Sequence, residues 1–296
     1  VGVAVTEGYL HLDDYVYDVL KDYVTQDVSE LQSKVQLKHL LTMTSGVDRF
    51  MSGSELRPLT TSWIEHILTE PIVHEPGTYY LYSSGNTMLS SAMVTVATGK
   101  TCLELLNTTG FCEELGIKNF TWDMSPDGFN AGHGGIKITA EDLAKIASAC
   151  YANETYMQVA NTQSYTLPAT NLHQNERAIT STNLMLNPEY AYYRDYIRGM
   201  KTGFTTLAGR CFVTFAEKDG HTYGLVVLGS DLDNIYRECA EILDWAFASF
   251  SDRQLTDTQT VLTTVPLTKC RSEEAVELYA AEPVSGYGHA DDPITY

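Results

Sequence analysis

The sequence predicts an α+β fold in which a helical region lies beside an antiparallel sheet. Helical spacing of apolar residues prevails up to about residue 189, and two alternating strands with a covering helix follow over about 190–252. Because the helices precede the strands along the chain, we expect one domain over 1–252 that contains both parts. Residues 253–296 are rich in Thr and Val and then acidic, which predicts the start of a small C-terminal β domain.

Four stretches carry the helical pattern of the first part. Residues 15–20 and 35–43 place apolar side chains at helical spacing. Residues 87–97 predict a buried helix that ends at Gly99, because glycine is the usual residue just past a helix. Thr139 opens the fourth helix, since an acidic residue follows it at the spacing of a helix-start box.

A hairpin and one amphipathic helix define the second part. Residues 211–216 alternate as a strand, Asp219-Gly220 predicts a tight turn, and 222–228 form the return strand. The helix that follows should cover the sheet with one apolar face. That predicted face comprises Ile235, Cys239, Ile242, Leu243, Ala246, Phe247 and Phe250.

Composition and charge narrow the classes of function. The chain has 296 residues, 44% of them hydrophobic, which is enough for a sizeable core and excludes a disordered protein. Its 38 acidic and 19 basic residues give a net charge of −19, which argues against binding to nucleic acid or to an anionic membrane surface. No apolar run approaches the length of a membrane span.

Cysteine and histidine usage predicts no metal site and no cofactor. None of the six cysteines lies in a C-x-x-C motif, and the eight histidines are scattered without an H-E-x-x-H pattern. A glycine-rich phosphate loop is also absent. We therefore expect most of the cysteines to be buried free thiols.

Lys201-Thr202-Gly203 is the most informative motif of the sequence, because it lies directly before the predicted hairpin and helix. An edge strand can pair with an extended peptide, the lysine supplies positive charge near a substrate carboxylate, and glycine lets backbone approach backbone. The alternative is a surface lysine before a turn. The context favours substrate binding.

A second polar motif, Tyr82-Ser83-Ser84-Gly85-Asn86, directly precedes the predicted helix over 87–97. It can cap that helix. It can also place a hydroxyl and an amide at the start of a helix, where Tyr82 or Ser84 relays a proton and Asn86 hydrogen-bonds a substrate carbonyl. The two interpretations are compatible.

With these motifs the chain resembles the serine penicillin-recognising superfamily, which includes D-Ala-D-Ala carboxypeptidases, penicillin-binding proteins, serine β-lactamases and related esterases. Residues 1–150 resemble the class C β-lactamase and esterase branch in GVAVTEGYLHLDD, LKHLLTMTSGV, EPGTYYLYSSGNTMLSSAMVTVATGK and HGGIKITAEDLAKIA. Residues 151–296 resemble low-molecular-weight D-alanyl-D-alanine carboxypeptidases in SYTLPATN, ITSTNLML, GMKTGFTTLAGRCFVTFAEKDGHTYGLVVLG and EILDWAF. The resemblance implies a β-lactamase/transpeptidase-like fold.

The two branches imply different roles for the second motif. When the motif is aligned with the class C branch, Tyr82 is the residue that transfers the proton, and Ser84 stands where that branch has Asn. In the carboxypeptidase register Ser84-Gly85-Asn86 is the S-x-N motif, and we rank Ser84 and Asn86 first. In both registers the residues from Lys201 to Gly203 line the cleft, and the backbone N–H of Phe204 is one oxyanion-hole donor.

The family's nucleophile is the serine of a Ser-x-x-Lys motif, and none of the ten lysines has Ser three residues before it. In the class C pattern this motif lies just upstream of VGVAVTEG, so we expect the chain to begin immediately after it, without the family's first helix and first strands. Ser45, Ser52 and Ser54 are poor substitutes, because no base lies three residues away.

Two further groups have structural interpretations. His133 precedes Gly134-Gly135, where the family has a glycine-rich turn, and we interpret it as a turn residue rather than a base. The tyrosines of the stretch 190–196 predict packing rather than an aromatic binding site.

The first functional hypothesis is a serine-type D-Ala-D-Ala carboxypeptidase that acts on peptidoglycan stem peptides through an acyl-enzyme, outside the cytoplasm. Its partners would be a stem peptide ending in D-Ala-D-Ala and β-lactams as inhibitors or substrates. A class C-like β-lactamase or serine esterase is the second hypothesis. The third is a non-catalytic pseudoenzyme of the same fold.

Overall fold

The computed structural model describes residues 1–169, 174–269 and 275–294. The chain forms two compact units. The first comprises residues 1–156 and 164–179, and the second comprises residues 157–163 and 180–296. In the described part of the chain, no helix combines the length and the apolar character needed to cross a membrane.

The first unit is mainly helical, with two short strand pairs that the sequence analysis did not predict, of which the first is antiparallel. Its helices are α1 (Gly2–Thr6), α2 (Val16–Leu20), α3 (Glu30–Ser33), α4 (Leu37–Leu41), α5 (Gly53–Leu56), α6 (Trp63–Leu68), α7 (Ser84–Thr98), α8 (Cys102–Thr108), α9 (Phe111–Glu114) and α10 (Ala140–Tyr151). A 3₁₀ turn covers Lys21–Tyr23. The strand pairs are β1 (Phe120–Trp122) with β2 (Ile136–Ile138) and β3 (Ser164–Leu167) with β4 (Arg177–Thr180). Helix α11 (Glu154–Ala160) carries the chain from the first unit into the second.

Helix α7 lies at the centre of the first core and contacts α1, α2, α4, α6 and α8. Its buried apolar residues include Met88, Ala92 and Met93. The helix ends at Gly99, as predicted, in the left-handed conformation that glycine adopts without a steric penalty. It begins three residues earlier than predicted, because the Ser83 hydroxyl accepts the N–H of Gly85 and caps the helix there.

The second unit contains a three-stranded antiparallel sheet in the order β5 (Ile197–Thr205), β6 (Gly209–Lys218) and β7 (His221–Ser230). Helix α12 (Ile235–Ser249) follows, and a 3₁₀ turn at Leu184–Leu186 precedes the sheet. Four further strands form two antiparallel pairs. These are β8 (Phe250–Thr256) with β11 (Val284–His289) and β9 (Val261–Pro266) with β10 (Ala275–Tyr279).

The predicted hairpin between β6 and β7 is confirmed. Asp219 and Gly220 have φ values of 51° and 80°, which is the pair of left-handed conformations that a two-residue turn between twisted strands requires. The turn pairs Lys218 with His221 and fixes the register of the hairpin.

Helix α12 packs on this sheet as predicted, but the predicted face is wrong at two positions. Ile242 is 45% exposed, because the buried side of the helix is centred nearer to Tyr236 and Ala240, which are both buried. Phe250 is the first residue of β8 and lies beyond the helix.

The expectation of buried cysteine thiols is confirmed in one respect and wrong in another. The five described cysteines, at positions 102, 112, 150, 211 and 239, are free. Within the residues that the structure describes, Cys239 alone among them is fully buried; it lies on the apolar face of α12 and belongs to the core of the second unit. Cys270 lies outside the described residues.

Asp142, in the first turn of α10, has a buried carboxylate that joins several segments of the first unit. It accepts hydrogen bonds from the Lys145 ammonium at 2.8 Å and from the backbone N–H groups of Lys118 and Asn119. These bonds, that of Lys145 first, lower the pKa of Asp142 to about 2.

A carboxyl group whose pKa is lower in the folded state stabilises the fold above its unfolded pKa of about 3.9 and loses that effect as the pH falls toward 2. We therefore expect Asp142→Asn to lower the free energy of unfolding at pH 7, with a smaller difference from the wild type at pH 3. Urea unfolding at both pH values measures this. An equal difference at the two pH values would contradict it.

Candidate functional site

The residues of the Lys201-Thr202-Gly203 motif lie in the middle of β5, which is an edge strand of the three-stranded sheet. Strand β6 pairs with one side of β5, and no strand in the described part of the chain pairs with the other. Such an edge presents unpaired backbone groups to which an extended peptide can add as a strand. The interpretation of the motif as a peptide-binding one requires such an edge strand, and the motif lies on one.

Lys201 carries a positive charge that no carboxylate neutralises among the described residues. Its ammonium donates a hydrogen bond to the carbonyl of Thr202 at 2.6 Å. The side chain keeps exposed surface, but neighbouring atoms crowd the ammonium, and this partial burial lowers the pKa of Lys201 below its ordinary value. A substrate carboxylate that approached the Lys201 ammonium would pair with it without displacing a carboxylate of the protein.

Nothing inside the protein requires glycine at position 203. A Cβ atom built there would meet one side chain, with Cys211 Cβ at 3.9 Å, and the backbone of Gly203 is not in the left-handed region. Glycine therefore leaves open space beside the strand rather than relieving crowding within the sheet. This agrees with the interpretation that a ligand backbone approaches here.

Phe204 follows the motif with its ring 60% exposed and with the Arg210 guanidinium 4.5 Å from the ring centroid. The two residues are register partners across β5 and β6. The role of the Phe204 N–H as an oxyanion donor stays a prediction.

A short chain of hydrogen bonds within the second unit holds the side chain of Thr202. Its hydroxyl bonds the hydroxyl of Thr182 at 2.8 Å. The carbonyl of Thr182 in turn accepts from the Tyr236 hydroxyl of α12 at 2.8 Å. The orientation of the Thr202 hydroxyl therefore depends on the segment before β5 as well as on the strand.

A buried clamp fixes β5 just before the motif, where the pairing with β6 shifts between Arg198 and Lys201. The carbonyl oxygen of Gly199 accepts from Asn183 Nδ2 at 2.5 Å and from Thr214 Oγ1 at 2.9 Å. Asn183 is 2% exposed and Thr214 is fully buried. A bulge held in this way re-aims the side chains that follow it.

The sequence analysis missed Thr182, Asn183 and Thr214 as residues that position the motif. The available signal was the polar Thr182-Asn183 pair directly before the apolar run Leu-Met-Leu. The pair belongs to the segment ITSTNLML, which resembles the carboxypeptidases. Its contact with β5 is a tertiary feature that the spacing of residues in the sequence does not show.

Ser84 and Asn86 lie in the first turn of α7, and both are buried. The N–H of Ser84 donates to the carbonyl of Met51 at 2.9 Å. Asn86 Nδ2 lies 3.5 Å from the sulfur of Met43, which is a weak acceptor. Within the described residues the Ser84 hydroxyl and the Asn86 side-chain oxygen form no hydrogen bond, so both are free to bind a ligand.

Tyr82 lies two residues before α7, outside any helix or strand, and is 53% exposed. Its ring stacks on Phe50 with 6.2 Å between the ring centroids. The structure thus brings Tyr82, Ser84 and Asn86 together at the start of one helix in the first unit, whereas Lys201, Thr202, Gly203 and Phe204 lie on one strand of the second unit. That the two groups act on one substrate stays a prediction.

The tyrosines of the stretch 190–196 have a structural role. Tyr190 packs edge-to-face on Tyr192 and Tyr236, and Tyr196 is buried against Phe247, which confirms the prediction of packing. His133 lies in a turn, as predicted.

The three alternative serines differ in their surroundings. Ser52 and Ser54 bond each other through their hydroxyls at 2.8 Å, whereas Ser45 is buried. Among the residues that the structure describes, no three His, Cys, Asp or Glu side chains form a group that could hold a metal ion.

Comparison with known proteins gives one family match and several similar solved structures. The family model described as Beta-lactamase matches residues 1–228. The D-alanyl-D-alanine carboxypeptidase DacD from Francisella tularensis is 18% identical, over 98% of this chain and 72% of that chain, with a TM-score of 0.49. A peptidoglycan synthesis regulatory factor (PBP3) from Streptococcus pneumoniae is 17% identical, over 94% and 76%, with a TM-score of 0.48.

The clamp predicts a loss of stability when its carboxamide is removed. Asn183→Ala leaves the buried carbonyl of Gly199 with one donor fewer, and we expect the free energy of unfolding to fall by about 1–3 kcal/mol. Urea unfolding measures this, with the exposed Asn161→Ala in the same unit as the control. Equal stabilities of the two variants would contradict the clamp.

Proposed function

The chain belongs to the beta-lactamase family, within the serine penicillin-recognising superfamily, and from this premise we propose that it serves a serine-type D-Ala-D-Ala carboxypeptidase reaction on peptidoglycan stem peptides. Its 296 residues contain no Ser-x-x-Lys motif. In the proposal they therefore supply substrate binding and proton transfer, and the nucleophile is not among them. The reaction takes place outside the cytoplasm, where peptidoglycan lies.

The observation that carries the proposal is the edge strand β5 with an unpaired lysine and an open glycine. A stem peptide in extended form pairs with the backbone of β5. Its C-terminal carboxylate binds Lys201 and Thr202, since no protein carboxylate in the described chain competes for that charge. Gly203 leaves the space that the peptide backbone needs.

The reaction is an acyl transfer in two steps. The hydroxyl oxygen of the nucleophile attacks the carbonyl carbon between the two D-Ala residues, and the C–N bond breaks. Ser84 relays the proton that this hydroxyl loses to the departing amine of D-Ala, and the acyl group stays on the nucleophile as an ester. Asn86 hydrogen-bonds a backbone amide of the substrate. The Phe204 N–H stabilises the oxyanion, and a single donor of this kind contributes roughly 3–4 kcal/mol. Water then hydrolyses the ester.

A class C-like β-lactamase or esterase is the second candidate, and the position of Tyr82 favours it. This tyrosine stands half-exposed at the head of α7, beside Ser84, where the class C register places its proton-transfer residue. Release of free D-Ala from a peptide supports the carboxypeptidase, whereas opening of a β-lactam ring without D-Ala release supports the second candidate. Peptide binding with neither reaction supports a non-catalytic protein.

The proposal predicts selective binding of a peptide with a free C-terminal carboxylate. We expect diacetyl-L-Lys-D-Ala-D-Ala to bind at least tenfold more tightly than its C-terminal amide, because hydrogen bonds to charged groups contribute about 1.5–3 kcal/mol. Lys201→Ala should abolish this preference, and Lys218→Ala on the neighbouring strand β6 should retain it. Isothermal titration calorimetry measures both affinities.

Gly203→Ala separates an effect on peptide binding from an effect on folding, when urea unfolding is measured beside the calorimetric titration. It should change the free energy of unfolding by less than about 0.5 kcal/mol, since the new methyl group meets no close neighbour. It should nevertheless weaken peptide binding. Equal affinity of the wild type for the acid and the amide, or normal binding by Gly203→Ala, would contradict the proposed role of β5.

A further inference from the structure

A cavity of about 300 Å³ lies in the first unit, and no residue of the proposed site lines it. Its walls combine charged, aromatic and apolar side chains from four segments of that unit. They are Arg57, Trp63, Asp123, Met124, Ala131 and His133. This volume lies at the lower end of the range of small-molecule sites.

His133 is held rigidly in the wall of this cavity, but neither of its ring nitrogens has a hydrogen-bond partner, although both are buried. The ring packs on Trp63 with 5.5 Å between centroids. On another side it lies so close to Gly53 that a Cβ atom there would come within 2.2 Å of the ring. A buried polar group left without a partner is costly to stability, and such groups are rare in native structures.

The imidazole of His133 is in its neutral form at neutral pH, because burial and the nearby Arg57 lower its pKa below the ordinary value. A neutral imidazole offers one N–H donor and one acceptor. The histidine therefore brings one fixed donor to the cavity without adding a charge.

The charged residues in the cavity wall are Arg57 and Asp123, and Lys137 binds Asp123 without lining the cavity itself. Arg57 lies 3.8 Å from Asp123, and the other oxygen of Asp123 binds the Lys137 ammonium at 2.7 Å. Two cations thus share one carboxylate. A side chain at position 135 would disturb this arrangement, because a Cβ atom there would lie 2.8 Å from the Asp123 side chain.

From these contacts we propose that the cavity binds the carboxylate of a small amphipathic molecule. Arg57 pairs with the carboxylate, and the N–H of His133 donates to one of its oxygens. Trp63 and Met124 cover the apolar part of the ligand. The carboxylate belongs either to a free small acid or to an acidic side chain of a peptide, and the experiment below distinguishes these two sources.

The test uses hexanoate and its neutral counterpart hexanamide with the chain of 296 residues, and follows the ring resonances of His133 by NMR. We expect hexanoate to shift these resonances and to bind at least tenfold more tightly than hexanamide. Equal affinities, or no shift of the His133 signals with hexanoate, would overturn the proposal. This comparison needs no variant.

Two variants locate the charge that is recognised. Arg57→Gln should remove the preference for hexanoate, whereas Lys21→Gln, which removes an equal charge elsewhere in the unit, should keep it. A preference that survives in Arg57→Gln would overturn the role of Arg57.

A final pair of probes, acetyl-Ala-Glu-Ala-Ala amide and the same peptide with Gln, separates the two sources. If the Glu peptide shifts His133 more strongly than the Gln peptide, the site accepts an acidic side chain. If hexanoate alone shifts it, the site takes free acids.

Discussion

The carbonyl oxygen of Gly199 holds the strand on which the proposed chemistry depends. Two buried donors, from Asn183 and Thr214, fix it where the pairing of β5 with β6 shifts. Beyond this point the strand returns to regular pairing with Lys201, so the clamp sets which side of β5 each later residue faces. The orientation of Thr202 depends on this clamp together with the hydrogen bond with Thr182.

The start of α7 contrasts with the hydrogen-bonded clamp at Gly199. Here two largely buried residues, Ser84 and Asn86, hold polar atoms that have no strong partner within the described chain but are not fully shielded from solvent. A fold optimised for stability alone would satisfy or replace them. Local departures of this kind are expected where a protein binds a ligand. The cavity beside His133 shows the same feature at another place in the first unit.

Local signals in the sequence predict a large part of this fold. The Asp219-Gly220 turn, the end of α7 at Gly99 and the cap of α10 at Thr139 depend on the conformations and hydrogen bonds of a few adjacent residues. The structure shows all three as predicted.

Features that depend on distant segments could not be predicted in the same way. The exposure of Ile242 depends on how α12 is rotated against the sheet, which helical spacing leaves open by tens of degrees. The clamp of Asn183 on Gly199 joins residues 16 positions apart through a side chain. The unpartnered nitrogens of His133 result from packing by Trp63 and Gly53, far away in the sequence.

Amide hydrogen exchange along β5 tests the central claim most directly, because strand addition at an edge must protect backbone N–H groups there. With diacetyl-L-Lys-D-Ala-D-Ala, we expect exchange to slow within residues 201–205, while the amides of β7 at the opposite edge of the sheet keep their rates. Unchanged exchange along β5 at a saturating peptide concentration would contradict the account.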